Sequence, residues 1–521
     1  MAKEKPISST TKRSYWRWSK TDFFPETSFQ TLSSYKTALS QTCPRLSDRL
    51  LARSSSTDEL VTLQKVSENP MQKCLTWWDL IWLGFGSVVG SGIFVITGQE
   101  AHNNAGPAIV LSYAISGLSA LLSVFCYTEF AAEIPVAGGS FSYLRVELGD
   151  FVAFIAAGNI LLEALVGAAG LGRSWSSYFA SMIKNDSDFL RIKVDSLPVG
   201  FNLLDPLAVV VLLVANGIAM SGTKRTSWLN WIASLVSGVF RAAAVVYWSY
   251  TGFDMVANMA EETKKPSRDI PIGLVGSMSG ITVVYCLMAL ALTMMVKYTE
   301  IDVNAAYSVV FEQIGMNWAK YLTQIARAHM IPPFFALIHP KTGTPVYATL
   351  LVTLISAIVA LFSSLDVLSS VLSFSTLFIF MLIAVALLVR RYYVKDVTPK
   401  NDLVKFLMCL FITIGSSIGV SALWNSNERG WLGYTAAGLL WFFGTLGMAF
   451  LSKQRVPKVW GVPLVPWLPS LSIVMNLFLI GSLGLTAILR FIICSAVMIV
   501  YYLLVGLHAT YDVAHQNELS A

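Results

Sequence analysis

The sequence predicts an all-α polytopic membrane protein, on three observations. Of its 521 residues, 55% are hydrophobic and 13% are charged, about half the charged share of an ordinary soluble chain. Apolar stretches of about 17 to 25 residues, each long enough to cross a bilayer, recur along the sequence. These runs are too long and too uniformly apolar for barrel strands. In lipid, where every backbone polar group needs an internal partner, that leaves helices.

Taken in order, residues 1–72 are polar, rich in Ser, Thr and Lys, and lack the apolar core of a signal peptide, so they read as a disordered cytosolic tail. Within it SYWRWSK (14–20) either touches lipid headgroups or stays solvated. The apolar runs then fall at 78–98, 107–130, 151–182, 205–221, an ambiguous 228–260, 272–297, 346–364, 368–390, 404–424, 432–451, 469–488 and 490–508. The segment 305–326 is amphipathic. The total is about 12 spans.

Basic residues set the orientation. With the N-terminus in the cytosol, alternation puts Arg145, Lys224, Lys264, Arg327, Arg390, Arg391, Lys453 and Arg455 on the cytosolic side. It leaves Lys184, Arg191, Lys193, Lys297, Arg429 and Arg490 on the other. Both termini are then cytosolic, with 509–521 as a short second tail. Asn185-Asp186-Ser187, a glycosylation sequon on the outward side, does not contradict this. Parity fails in two places. The basic loops at 222–226 and 261–271 both belong inside, yet too few residues separate them for two spans, which need about 40 residues and a turn. The same shortage recurs between 298 and Arg327.

The net charge of +6 lies mostly in short loops and the first tail, so it is no nucleic-acid signal. The six cysteines are scattered without a CxxC pair and read as small apolar residues. There is no GxSxG, Walker loop or HExxH, and the five histidines have no metal spacing, so the chain is not expected to be an enzyme or to hold a metal or cofactor.

Chemistry concentrates at two helix-weakening stretches. GFGSVVGSGIF (84–94) places glycines in the middle of a span. Gly86-x-x-x-Gly90 fits close helix packing. The Gly90-Ser91-Gly92 cluster, with each Gly costing about 1 kcal/mol of helix propensity, fits unwinding instead. Unwound N–H groups at a half-helix start suit a carboxylate. The second stretch, YWSYTGFDMVANMAEE (247–262), centres on Gly252; its free carbonyls suit an α-amino group, and Tyr247, Trp248 and Tyr250 either close over a solute or pack against lipid. Two acids lie in apolar sequence. Glu163 sits in GNILLEALVGAAG and Asp254 follows the second break. Charges there are expensive and so point to function, here proton binding coupled to a cationic substrate. Arg173 is about 15 Å along the helix from Glu163, too far to pair with it, and is expected to snorkel at the outer end. Glu129 and Glu133 are expected to cap or order the loop AEIPVAGGSFSY.

Four ordered segments carry a resemblance: GSVVGSGIF, YTEFAAEIPVAGGSFSYLRVELGD (127–150), WSYTGFDMVANMAEETKKPSRDIPIG (248–273) and ARAHMIPPFFALIHPKTGTPVYAT (326–349). Together they resemble cationic amino acid transporters of the amino acid–polyamine–organocation superfamily, most of all the plant branch, over about residues 72 to 510. The resemblance implies a five-plus-five inverted repeat followed by extra helices, usually about 14 spans in all. The core is then 73–390 and the additional C-terminal helices 391–508. It implies proton-coupled transport of arginine, lysine and similar basic amino acids across the plasma membrane or the vacuolar membrane, driven by the proton gradient without a cofactor. The implied substrate site is Ser87, Gly90, Ser91 and Gly92 in the first span, Trp248, Ser249, Tyr250 and Gly252 in the sixth, and Glu163 in the third. Glu163 and Asp254 are the implied proton-coupling residues. The chain departs from the pattern that the resemblance implies near 238–240 and 322–324, where it is short of fifth- and eighth-span sequence. The alternatives are a transport-inactive form with a regulatory or sensing role, and a neutral amino acid permease.

Overall fold

The computed structural model describes residues 23–51, 76–88, 97, 100, 108–134, 139–182, 188–198, 200–220, 253, 256, 263, 265–295, 346–394, 397–426 and 431–515. Of the two places where parity fails, 298–327 lies outside these residues, and of 227–260 only 253 and 256 are described. The described helices are α1 (Leu32–Ser40), α2 (Thr42–Leu51), α3 (Trp77–Val88), α4 (Ile109–Glu133), α5 (Gly139–Leu148), α6 (Asp150–Met182), α7 (Pro206–Met220), α8 (Pro266–Met295), α9 (Val346–Phe362), α10 (Leu365–Tyr392), α11 (Lys400–Asn425), α12 (Trp431–Ala449), α13 (Trp467–Ser482), α14 (Leu485–Tyr501) and α15 (Leu507–Ala514). One π turn, Tyr502–Gly506, joins the last two. Among the described residues, seven helical segments are long and apolar enough to cross a membrane; the shorter apolar helices fall in α7, α9 and α13. The chain is an all-α multi-pass membrane protein.

Local chemistry explains the boundaries. Pro266 opens α8, where its missing N–H costs nothing, and Asp269 lies in the first turn. Ser364 caps α10 by accepting the Val367 N–H at 3.5 Å, while Arg390 and Arg391 sit in the last turn against the negative end of the helix dipole. The break between α13 and α14 comes at Gly484, whose φ of +85° is a conformation a side chain resists. That break lies six residues before the start of the 490–508 run.

Two groups of helices pack around α10. In the first, α8 lies against α3 and α4. In the second, α6 lies against α7 and α9, sharing an apolar cluster that includes Val166, Ala169, Ala208, Leu212 and Ala360. α10 touches both groups and is the most buried of the candidate spans. α11 and α12 form an outlying pair, and α13 joins them to α10.

Two expectations need correction. Part of the stretch read as a disordered tail is folded. α1 is capped by Thr31, Arg45 of α2 pairs with Asp512 at 3.3 Å, and Arg49 pairs with Asp150. Ser28 donates to Asp512 through its backbone N–H (2.7 Å) and its hydroxyl (2.9 Å). Polar composition alone had suggested disorder, but these side chains find partners on α6 and α15. Second, much of the AEIPVAGGSFSY loop is the start of α5, and Glu129 and Glu133 do not cap it. They bind the segment after α12 instead. Glu129 accepts the Val462 N–H at 2.8 Å, and Glu133 accepts those of Lys458 (2.6 Å) and Val459 (3.2 Å).

Candidate functional site

The first weak stretch enters the bundle through glycine contacts. A Cβ on Gly84 of α3 would lie 2.6 Å from Ser277 Oγ and 3.0 Å from Val256 Cγ2, and one on Gly273 of α8 would lie 2.6 Å from Leu80 Cβ. Gly276 meets Ile81 in the same way, at 3.1 Å. The two backbones approach this closely because neither carries a side chain there. Close packing therefore rests on Gly84, Gly273 and Gly276. The signal available in the sequence was GLVGSMSG (273–280), which the reading passed over.

Val256 and Phe253 bring the second stretch to the first. Val256 is fully buried beside Gly84. Phe253, immediately after Gly252, is also fully buried. Its ring meets Tyr127 of α4 at 5.2 Å and Phe380 of α10 at 5.0 Å, and those two rings meet each other at 5.5 Å. Three aromatic rings from three elements thus hold the residue beside the predicted break, using the favourable edge and tilted arrangements of aromatic pairs.

Of the sequence-predicted site residues, Ser87 lies on α3, one residue before its described end at Val88. Glu163 lies near the middle of α6 and is half-buried. Gly167, four residues on and so on the same face, has open space where its Cβ would be, among the described residues. Gly90, Ser91, Gly92, Trp248, Ser249, Tyr250, Gly252 and Asp254 lie outside the described residues. One turn before Glu163 sits Asn159, fully buried, its amide donating to the Ile155 carbonyl at 2.8 Å. The reading singled out the charge on this face and passed over the amide.

Arg173 does not snorkel. It is 1% exposed and donates to the carbonyls of Ala360 (3.0 Å) and Leu361 (3.4 Å) at the end of α9, and of Leu203 (3.0 Å). A guanidinium placed at a helix C-terminus satisfies orphan carbonyls and the helix dipole together. Beside it, Asp205 caps α7 through the Ala208 N–H at 2.9 Å and pairs with Arg191 at 3.2 Å.

The opposite end of the bundle carries acid–base pairs. Arg391 meets Glu129 at 2.7 Å and Arg390 meets Glu133 at 3.1 Å, joining α10 to α4. Glu147 of α5 takes Arg390, and Arg455 at 3.5 Å. Arg145 pairs with Asp150 at 2.9 Å. Arg145, Arg390, Arg391 and Arg455, which alternation assigned to one side, thus gather at one end, and Arg191 lies at the other.

A family model described as amino acid permease matches residues 75–190, 191–326 and 316–450, and a second, the C-terminus of the same permeases, matches 460–510. The chain belongs to the amino acid permease family. It is 71% identical to cationic amino acid transporter 8, vacuolar, of Arabidopsis thaliana, over 558 residues covering 97% of this chain and 95% of that one. Cationic amino acid transporter 5 of the same plant is 58% identical, covering 97% and 98%. The methylthioribose transporter of Bacillus subtilis is 29% identical, covering 64% of this permease and 84% of its own length. As a permease the chain is a transporter and not an enzyme, with amino acids as its substrate class.

Proposed function

We propose that this permease carries cationic amino acids such as arginine and lysine, coupled to protons, by alternating access around a site between α3, α6 and the 247–262 stretch. The observation that carries the reading is the junction of the two weak stretches, with Val256 against Gly84 and Phe253 wedged between α4 and α10. Gly90, Ser91 and Gly92, with Ser87, offer main-chain and hydroxyl groups to the carboxylate. The carbonyls near Gly252 receive the α-amino group, with Trp248, Ser249 and Tyr250 beside it. Glu163 faces the positive side chain and, with Asp254, holds the transported proton. A half-buried carboxylate in a span suits this role because a charge there is costly and calls for a cationic partner. No cofactor is required: the proton gradient supplies the driving force. The end with Arg145, Arg390, Arg391 and both described termini is the cytosolic one by its basic residues. The name of the 71% identical relative favours the vacuolar membrane over the plasma membrane.

Uptake of labelled arginine into a host lacking its own basic amino acid permeases, or into vesicles from that host, tests this. Uptake should collapse when the pH gradient is dissipated, and it should fall at least about tenfold in Glu163→Gln, the scale of one lost charge contact. Uptake of alanine in preference to lysine would sink the substrate assignment.

One observation favours a second reading, a transport-inactive form with a regulatory or sensing role. The alignment with the 71% identical relative runs over 558 positions, more than the 521 residues of this chain, so that relative carries residues absent here. The places near 238–240 and 322–324 are where they would fall. Normal membrane insertion without arginine uptake would select this reading.

A further inference from the structure

Two tyrosines from different helices hold the two sides of the glycine–serine stretch. The Tyr285 hydroxyl, on α8, donates to the Val88 carbonyl at 2.9 Å. The Tyr113 hydroxyl, on α4, hydrogen-bonds Thr97 Oγ1. The two rings meet edge to face at 5.7 Å. Tyr113, Thr97 and Tyr285 are fully buried and Val88 nearly so. Val88 lies two residues before Gly90, and Thr97 lies five residues after Gly92.

Apolar packing alone does not call for these hydroxyls. Phenylalanine would fill nearly the same volume, and a buried hydroxyl is costly unless it is bonded. Each hydroxyl instead fixes a group of the first span: a main-chain carbonyl on one side of the stretch and a side chain on the other. A segment rich in glycine loses more conformational freedom than any other when it is ordered, about 1–2 kcal/mol per residue for the backbone. Fixing its ends in advance lowers what a ligand must overcome on binding there.

We propose that Tyr113 and Tyr285 are positioning residues, a paired clamp that anchors Val88 to α8 and Thr97 to α4 and so restrains the stretch between them. The clamp acts through the segment and does not touch the substrate. Its importance for transport rests on the reading of that segment as the carboxylate site.

The test separates the two. Hydrogen–deuterium exchange of the full-length protein in detergent reads the peptide covering 89–96 directly, without substrate. Tyr285→Phe and Tyr113→Phe should each raise its exchange rate about fivefold or more, the scale of one net hydrogen bond, with little change in thermal midpoint. Tyr127→Phe, which removes a buried phenol further along α4, should leave that peptide unchanged. Thr97→Val should match Tyr113→Phe, and the double variant should exchange no faster than either. Unchanged exchange in both tyrosine variants overturns the clamp, as does a rise that Tyr127→Phe reproduces. In parallel, equilibrium binding of labelled arginine should weaken about fivefold to tenfold in the same variants. Faster exchange in a protein whose parent binds no arginine supports the clamp and overturns the substrate reading. Faster exchange with unchanged arginine affinity overturns the positioning role.

Discussion

The helices around α8 and the helices around α6 are joined by different forces. Between α3 and α8 glycines of one helix meet side chains of the other, Gly84 against Ser277, Gly273 against Leu80 and Gly276 against Ile81. Around α6 a glycine also helps, Gly172 against Leu212, but the group adds a buried cation, with Arg173 donating to carbonyls of α9 and of the strand Leu203–Leu204. A seam of glycines is held largely by dispersion, and the hydrogen bond described across it, from the Tyr285 hydroxyl to the Val88 carbonyl, joins neutral groups. A guanidinium shared among three carbonyls resists displacement, since each bond is directional and charge-assisted. In the alternating-access reading, the α8 group is the one suited to tilt and the α6 group the one suited to stay. The acid–base pairs between α10 and α4 then link the two at one end.

That link carries the largest expected effect. Glu129 and Arg391 are almost wholly buried, with side-chain exposures of 1% and 6%. Removing one member leaves the other charged and uncompensated, at about 3–5 kcal/mol. Glu129→Gln should therefore lower the thermal midpoint of the solubilised protein sharply. The double variant Glu129→Leu/Arg391→Leu should recover much of the loss, because two apolar groups of similar volume can replace a buried pair. A single variant as stable as the parent would mean that the pair is hydrated, and that the two helix groups are not tied there.

Hydropathy and charge made the helices visible before the structure did, because a bilayer imposes a length and an apolar face that composition records directly. The gathering of Arg145, Arg390, Arg391 and Arg455 at one end followed from the same rule. The partnerships did not follow. Nothing in the sequence says that Glu129 would bind residue 462, because contacts across hundreds of residues depend on tertiary packing. Arg173 was misplaced for a related reason: a rule for isolated spans sends arginine to the interface, whereas here the end of α9 offers carbonyls inside the protein. The folded segment 23–51 escaped a reading by composition because its partners, among them Asp150, Asp512 and Tyr511, lie far along the chain. Tyr113 and Tyr285 were invisible in apolar runs, where an isolated tyrosine looks like any other large side chain.

Arg173 tests the fixed side of the comparison. Hydrogen bonds from charged donors contribute about 1.5–3 kcal/mol each, and Arg173→Met removes two at 3.0 Å. The expected loss is on the order of 3 kcal/mol, allowing for partial hydration of the freed carbonyls. Arg173→Lys should keep part of it, since one ammonium cannot reproduce the guanidinium fork. Thermal unfolding checks both. Hydrogen exchange should also rise in the Leu203–Leu204 strand and at the end of α9 while α3 stays as protected as before. Loosening spread equally over α3 and α9 would deny that the two groups are separate.

The glycine seam gives the smallest effect and the sharpest sign test. Alanine is the better helix former by about 1 kcal/mol, so a glycine with space around it should gain from the change. Gly217 on α7 is such a position, with nothing within 4 Å of its added Cβ among the described residues. Gly273 is the reverse. Its Cβ would stand 2.6 Å from Leu80 Cβ and 3.5 Å from the Leu80 backbone carbonyl carbon. Those atoms sit at the root of the side chain, so no rotamer change relieves the clash and α3 itself must move. Overpacking of this kind costs about 1–3 kcal/mol, more than the gain in propensity. Gly217→Ala should raise the thermal midpoint slightly and Gly273→Ala should lower it. If Gly273→Ala proves as stable as Gly217→Ala, α3 and α8 stand further apart than the seam requires, and the α8 group loses the feature that suits it to tilt.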